Sequence, residues 1–305
     1  MIYDCFPFFN ELELLEVRLH ELDGLVDKFV LVEATRTFAG QPKSLYFAEN
    51  RDRFSAFDRK IIHVIVDDMP NGEGPRDHWV RDRFQRNAIG RGLSNCKPDD
   101  VIMVSDIDEI PKASTVKRFV ERMRFNDDLV SKTVHAVFNS RPTRFIFHRK
   151  TLRHSLRKSN PFVWRLEQYP CWLFLNRRTR DFEWWYGTKI MHYRDFSTAE
   201  EMRYSGYKIV KDGGWHFSFM GDTDRITAKI AATAHQELNN PKTIEQILKQ
   251  TTMEKIGQEL QQGMIELVPI KELPSFIQMH HERFSPWIID LASLPGHSHE
   301  LLPER

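Results

Sequence analysis

Two aspartates separated by one residue, Asp106 and Asp108, follow directly on the apolar run Val101-Ile102-Met103-Val104 and Ser105. In an extended or tightly turned segment alternate residues face one side, so both carboxylates can aim at one point. Oxygen ligands of this kind suit a hard divalent ion, Mn2+ or Mg2+, which keeps some waters and shares phosphate oxygens with a substrate. Such an ion neutralises a diphosphate leaving group. The competing reading is a pair of acids that caps the next helix, and a bare Asp-x-Asp arises by chance in many chains. Placement decides between them. Four apolar residues stand just before the pair, and Glu109-Ile110-Pro111 stops the segment just after it.

Other candidate groups surround that pair in the pattern. Ligands of open α/β sheets bind beyond the carboxyl ends of strands, and two more apolar runs end in acids, at Glu33 and at Asp67-Asp68. Arg36, Arg76, Arg81, Arg83 and Arg86 fall in or near the same loops. Guanidinium is a natural partner for phosphate, although a solvated helix face is the ordinary alternative for any one of them. Farther along stand Phe182-Glu-Trp-Trp-Tyr-Gly187 and Gly213-Gly-Trp-His-Phe-Ser218. Aromatic faces stack on the C–H face of a sugar or on a base, and glycine permits close approach. Most such rings belong to a core; at least one ligand contact among Trp164, Trp172, Trp184 and Trp185 is expected. His216 reads as a metal ligand, a phosphate partner or a core histidine, and among 13 histidines chance favours the last. A reaction that deprotonates a hydroxyl needs a general base, for which Glu200, Glu201, Asp222 and Asp224 are available. Glu200 and Glu201 follow Ser197-Thr198, where acids suit a helix start whatever their function.

The elements that must position these groups change character along the chain. Ile2 to Phe9 reads as a strand and its exit. Asn10 can cap a helix carrying Leu12, Leu15, Leu19 and Leu22 at spacings of three and four. Phe29–Glu33 and Ile61–Val66 read as buried strands, separated by a short helix over 50–57. A helix over 77–93 with Trp79, Phe84 and Ile89 buried leads to the strand before Asp106. Unbroken apolar strands alternating with helices imply a sheet covered on both faces. After about residue 130 shorter, antiparallel strands are expected at 134–139, 143–148, 172–175 and 188–192, then helices over 226–238 and 244–260. The proline-punctuated end, 269–305, reads partly as a tail packed on the outside. The divisions expected are 1–130 as the nucleotide-sugar-binding half, 131–265 as the acceptor-side half of one catalytic domain, and 266–305 as an extension.

Composition narrows the partners. With 44 Lys+Arg against 43 Asp+Glu the net charge is +1, so bulk attraction to nucleic acid is not what the chain is built on. Residues 141–180 nonetheless carry eleven Lys/Arg and one acid, Glu167, which suits an anionic acceptor or peripheral contact with a membrane surface. No run reaches the roughly 18–20 apolar residues of a membrane span, and three scattered cysteines form neither a disulfide framework nor a zinc site. A cytoplasmic location is expected.

Taken in order, Met1–Glu11, Phe29–Arg36, Gln85-Arg-Asn-Ala88, Ser105–Pro111 and Gly214–Ser218 resemble glycosyltransferase family 17, over roughly residues 1–225. That family includes the β-1,4-mannosyl-glycoprotein 4-β-N-acetylglucosaminyltransferases. The resemblance implies an α/β fold of GT-A type, with a Rossmann-like, mostly parallel central sheet, a UDP-sugar donor and inversion at the anomeric carbon. Asp106 and Asp108 would then meet the metal and the donor diphosphate, and His216 would complete the metal site. Glu33, Arg36, Asp68 and Arg86 would lie near the nucleotide, Trp184, Trp185 and Trp215 near the acceptor, and Glu200, Glu201 or Asp222 would be the base. The animal members carry an N-terminal anchor where this chain starts at its first strand, so a bacterial relative acting on a glycan or lipid-linked saccharide is expected. Two other readings use the same residues: a metal-dependent phosphohydrolase, and a lectin-like binding module resting on the aromatic segment.

Overall fold

Continuous runs of Val, Ile, Leu and Phe need cover on both faces, and the first hundred residues supply it. The computed structural model describes residues 1–72, 74, 76–125, 162–180 and 184–295. β1 (Ile2–Phe8), β2 (Lys28–Ala34), β3 (Ile61–Val66) and β4 (Val101–Val104) lie parallel in the order β3-β2-β1-β4. They are joined through α1 (Leu12–Leu22), α2 (Tyr46–Glu49) and α3 (Asp77–Asn87). β1 pairs with β2 on one side and β4 on the other. The chain therefore reverses its progress across the sheet between β1 and β4, which opens a crevice at their carboxyl ends.

Beyond β4 come β5 (Glu109–Pro111), α4 (Ala113–Phe125), β6 (Trp164–Trp172), β7 (Arg177–Thr179), β8 (Lys189–His192) and α5 (Ala199–Arg203). They are followed by β9 (Lys208–Ser218), α6 (Thr223–Ala232), α7 (Pro241–Lys249), α8 (Met253–Gln261), β10 (Ile265–Leu267), α9 (Ser275–Met279) and α10 (His281–Phe284). The sheet continues from β4 as β8-β6-β7-β10, every neighbour antiparallel; β9 lies parallel to β6 and antiparallel to β5. The expected mostly parallel sheet is thus corrected to a mixed one. β6 pairs antiparallel with β7 on one side and with β8 on the other, and β8 antiparallel with β4, so the second half adds antiparallel neighbours to the parallel β1–β4 set. No helix among the described residues is long and apolar enough to cross a membrane.

Other expectations shift with local chemistry. Asn10 does not cap α1; the Glu11 carboxylate instead accepts from the Phe9 and Asn10 amides at 3.3 and 3.1 Å. The helix over 77–93 is α3 followed by a tighter 3-10 turn over Ala88–Leu93. The strand expected at 172–175 is the end of β6, where Leu173 turns with φ +67°. The helix over 244–260 is two helices, with Thr252 accepting from the Lys255 amide to start α8. The strands expected at 134–139 and 143–148, with most of the basic stretch, lie outside the described residues. The C-terminal segment is part of a core: Leu273, Phe276, Ile277 and Phe284 are buried against Leu14, Val17, Trp215 and Phe217.

The largest departure is the face that α3 turns inward. Trp79 and Phe84 are half-buried, whereas Arg81, Asp82, Gln85 and Arg86 are buried. A helix that buries its charged face against a sheet has polar partners there. Gln85 donates to the Phe8 and Val32 carbonyls in β1 and β2, Arg86 to Asp106 just after β4, and Arg81 to the loop carbonyls of Phe38 and Gly72.

Candidate active site

A buried arginine builds the Asp106–Asp108 turn from below. Arg18, fully buried on the apolar face of α1, donates from Nε and Nη2 to both carboxylate oxygens of Asp4, each at 2.7 Å. Its Nη1 reaches the carbonyls of Asp106, Ile107 and Glu109 at 2.8, 3.2 and 3.0 Å. A guanidinium has enough rigid donors to gather three carbonyls while pairing with one carboxylate. The turn is thereby held open, with its side chains facing the crevice. Arg18 was missed in the sequence, although a charge among Leu14, Leu15, Val17 and Leu19 on one helical face was the available signal.

The two aspartates are met by cations of the chain itself. Arg86 Nη1 hydrogen-bonds Asp106 Oδ1, and its Nη2 lies 3.1 Å from Asp82 Oδ1. Arg203 Nη2 stands 3.7 Å from Asp106 Oδ2. Burial alone would raise the Asp106 carboxyl, but the Arg86 and Arg203 charges outweigh it and hold the group well below the usual carboxylate range. Asp108 Oδ2 accepts from Lys229 Nζ on α6 at 2.9 Å, and the same ammonium lies 3.2 Å from Glu11 Oε1. Burial works against the Lys229 charge, yet Asp108 and Glu11 more than offset it and keep it protonated. On its other side Asp108 Oδ1 faces His216 Nε2 at 3.8 Å; that nitrogen is also 3.1 Å from Ser218 Oγ.

Two clefts share this turn. The larger, of about 410 Å3, is lined by Pro7, Phe8 and Phe9 after β1, by Arg36, Trp79 and Arg86, and by Asp106, Asp108, His216 and Lys229. The smaller, of about 370 Å3, is lined by Asp106, Glu109, Trp184, Trp185, Tyr186, Lys189, Arg203 and Tyr204. Arg86, Asp106, Trp185 and Arg203 belong to both. Trp185 forms much of the partition: its ring stacks on His216 at 4.3 Å with 20° between planes, and its Nε1 donates to Glu109 Oε1 at 2.7 Å. Glu109 Oε2 accepts from the Asp106 amide at 2.9 Å. Burial, and then the charges of Asp106 and Asp108, push the Glu109 carboxyl upward. Gly187 makes room for it, since a Cβ there would come within 1.8 Å of Glu109 Oε1. Lys189 Nζ holds the carbonyls of Tyr186 and Gly187, the latter at 2.9 Å, and burial lowers it to about 8.

The structure brings together Arg36, Arg86, Asp106, Asp108, Trp184, Trp185 and His216. It separates the others. Glu33 is fully buried behind the crevice, accepting from the Phe47 amide at 3.0 Å and facing His63 Nε2 at 3.1 Å and Lys43 Nζ at 3.7 Å. Asp68 is exposed and bound by Arg91 through two contacts of 2.9 Å. Trp215 is core, 3% exposed, with Nε1 donating to the Glu272 carbonyl. Asp222 caps α6 by accepting from the Arg225 amide at 2.9 Å and is exposed. Glu201 accepts from Ser197 Oγ at 2.7 Å. Glu200 lies behind the cleft wall, its Oε2 3.6 Å from Arg86 Nε. Both atoms are buried without a hydrogen-bond partner among the described residues, and burial raises the Glu200 carboxyl. Asp222 is taken by a helix cap and the Glu201 carboxylate by Ser197.

The donor set suits a hard divalent ion only in part preformed. Asp108 Oδ1 and His216 Nε2 present an oxygen and a nitrogen to the same cleft; the carboxylate suits Mn2+ or Mg2+, and the imidazole suits a transition-metal ion such as Mn2+ better than Mg2+. No group of three His, Cys, Asp or Glu among the described residues converges as a cage. The residues present fit an ion whose shell is completed by water and phosphate oxygens.

The chain matches the model of glycosyltransferase family 17 over residues 1–156 of its 305. It is 38% identical over 108 residues to the beta-1,4-mannosyl-glycoprotein 4-beta-N-acetylglucosaminyltransferases of Homo sapiens and Rattus norvegicus, and 37% identical to that of Mus musculus. The matched stretch covers 33% of this chain and 20% of each relative, so the alignment spans about a fifth of their length. The β1–β4 half with its Asp106–Asp108 turn falls within the matched residues, and the chain belongs to glycosyltransferase family 17.

Proposed function

We propose that the chain is an inverting, metal-assisted glycosyltransferase of GT-A type. It moves a sugar, GlcNAc by the name of its relatives, from a UDP-sugar to a hydroxyl of a glycan or lipid-linked oligosaccharide. The observation that carries this reading is the position of Asp106, on the wall common to two adjoining clefts. Group transfer needs donor and acceptor on either side of one reacting centre, held in line.

In this scheme the larger cleft, at the β1–β4 crevice, takes the nucleotide, with Arg36 and Arg86 toward its phosphates. Asp108 and His216 would hold the ion, which when bound supplies positive charge against the departing diphosphate. Trp184, Trp185 and Tyr204 on the smaller cleft offer flat faces to the acceptor. Glu109 fixes that wall to the turn through Trp185 and the Asp106 amide, so the two clefts keep their spacing. The acceptor proton goes to a carboxylate as the hydroxyl attacks. Glu200 is the candidate: burial raises its basicity, and its Oε2, which accepts no hydrogen bond among the described residues, sits behind the cleft wall 3.6 Å from Arg86 Nε and reaches the acceptor only if Arg86 turns aside. Glu201 and Asp222 are engaged at helix starts.

Calorimetric binding of UDP and UDP-GlcNAc, with and without Mn2+, tests the reading on wild type and on Asp106→Asn with Asp108→Asn. Metal-dependent binding that disappears in the double variant is expected. A folded wild type that binds neither ligand under any condition would overturn it.

A further inference from the structure

The cleft assigned to the nucleotide already contains a fixed positive charge beside the proposed ion. Lys229 Nζ lies 2.9 Å from Asp108 Oδ2, while the opposite oxygen, Oδ1, faces His216 Nε2. Glu11 holds the ammonium from the far side at 3.2 Å, and Glu11 is itself anchored by the Phe9 and Asn10 amides. The ring of Phe219, 5.8 Å from Nζ, closes another side. Lys229 is thus held in place as a third partner of the same carboxylate that would bind the metal, with its side chain 22% exposed to the cleft.

We infer that Lys229 couples divalent-ion binding to nucleotide binding. This rests on the nucleotide-sugar reading above and adds a regulation of its site. A divalent ion held by Asp108 and His216 would share the Asp108 carboxylate with the Lys229 ammonium, and the two cations would repel one another within a partly buried cleft. Without nucleotide, Lys229 already neutralises much of the negative charge that attracts the ion. A diphosphate brings fresh negative charge and oxygen ligands that both cations can share. The ion then gains partners and the repulsion is offset. Coupling of this kind is reciprocal: UDP tightens the ion by the same factor that the ion tightens UDP. A cleft without a resident cation would bind the bare ion better and respond less to the nucleotide.

Lys229→Met removes the charge and keeps the length and apolar bulk of the side chain; Lys229→Arg keeps the charge. Free Mn2+ is read by its electron paramagnetic resonance signal, in titrations with and without UDP, while circular dichroism monitors the fold. Wild type and Lys229→Arg are expected to bind Mn2+ more tightly when UDP is present. Lys229→Met is expected to bind Mn2+ without UDP about tenfold more tightly than wild type, with a smaller gain on adding UDP. Unchanged or weaker Mn2+ binding by folded Lys229→Met, or a gain on adding UDP as large as that of wild type, overturns the inference. Should that variant not fold, wild type alone still decides: Mn2+ affinity that is independent of UDP overturns it. If UDP binds normally in either case, only the coupling has failed. If wild type binds neither UDP nor UDP-GlcNAc, with or without Mn2+, the nucleotide-sugar reading fails as well.

Discussion

The indole of Trp185 donates to Glu109 Oε1 over 2.7 Å, and through that bond one wall of the smaller cleft is tied to the turn that carries both aspartates. Trp185→Phe keeps a ring over His216 but leaves a buried carboxylate oxygen without its donor. A loss of about 1–3 kcal/mol is expected in urea unfolding. Gly187→Ala should be the more damaging of the two, because its Cβ would collide with that carboxylate. Unchanged midpoints for both variants would show that Glu109 does not hold the wall.

Arg86 stands between Asp106 and Asp82 and is itself buried. Arg86→Met leaves Asp82 and Asp106 to the more distant Arg203 guanidinium, 3.8 and 3.7 Å away, for an expected loss of about 3–5 kcal/mol of stability. Because Arg86 helps to depress Asp106, the stability this carboxylate contributes is present above its unfolded value of 3.8 and is lost only as pH falls through its lower folded value. Acid titration of the unfolding midpoint should therefore show the variant failing at a higher pH than wild type.

Lys189 gives a pH signature on the alkaline side. Its ammonium titrates near 8 in the folded chain against 10.5 when unfolded. Between those values the unfolded chain binds the extra proton, so stability rises with pH. The difference between wild type and Lys189→Met should grow by up to about 3 kcal/mol from pH 8 to 10.5. A difference that stays flat over this window would place the lysine in a solvated setting.

The three base candidates separate by their partners. Glu200→Gln should lower kcat by about 10²-fold or more if it accepts the acceptor proton, with little change in UDP affinity. Glu201→Gln should leave kcat close to wild type, since that carboxylate is engaged by Ser197. Asp222→Ala should cost about 1 kcal/mol of stability through the lost helix cap and leave the chemistry alone. A full-rate Glu200→Gln enzyme would move the base to a residue that lines the smaller cleft, which Glu200 does not.

Several strands and the acidic turn were legible in the residues themselves. Runs such as Phe29–Glu33 and Ile61–Val66 have no polar face to show to water, so they must be interior strands, and acids placed at their ends must lie at an edge of the sheet. That reasoning located Asp106 and Asp108 correctly. It could not tell which acid meets the crevice and which is buried behind it. Glu33 and Asp106 both follow apolar runs, yet one is paired with His63 and Lys43 and the other faces two clefts.

Contacts between residues far apart in the chain decided the rest. Arg18 and Asp106 are 88 positions apart and Lys229 and Asp108 are 121, and no local spacing reports such pairs. Periodicity also misjudged α3, because it assumes that the apolar side of a helix faces inward. In α3 the crevice supplies buried carboxylates and carbonyls, so Arg81, Gln85 and Arg86 turn inward instead. Sequence by itself determined where backbone must be covered and where acids cluster. Only the tertiary structure determined which charges meet, because that depends on strand order across the sheet and on the partners a buried charge must find.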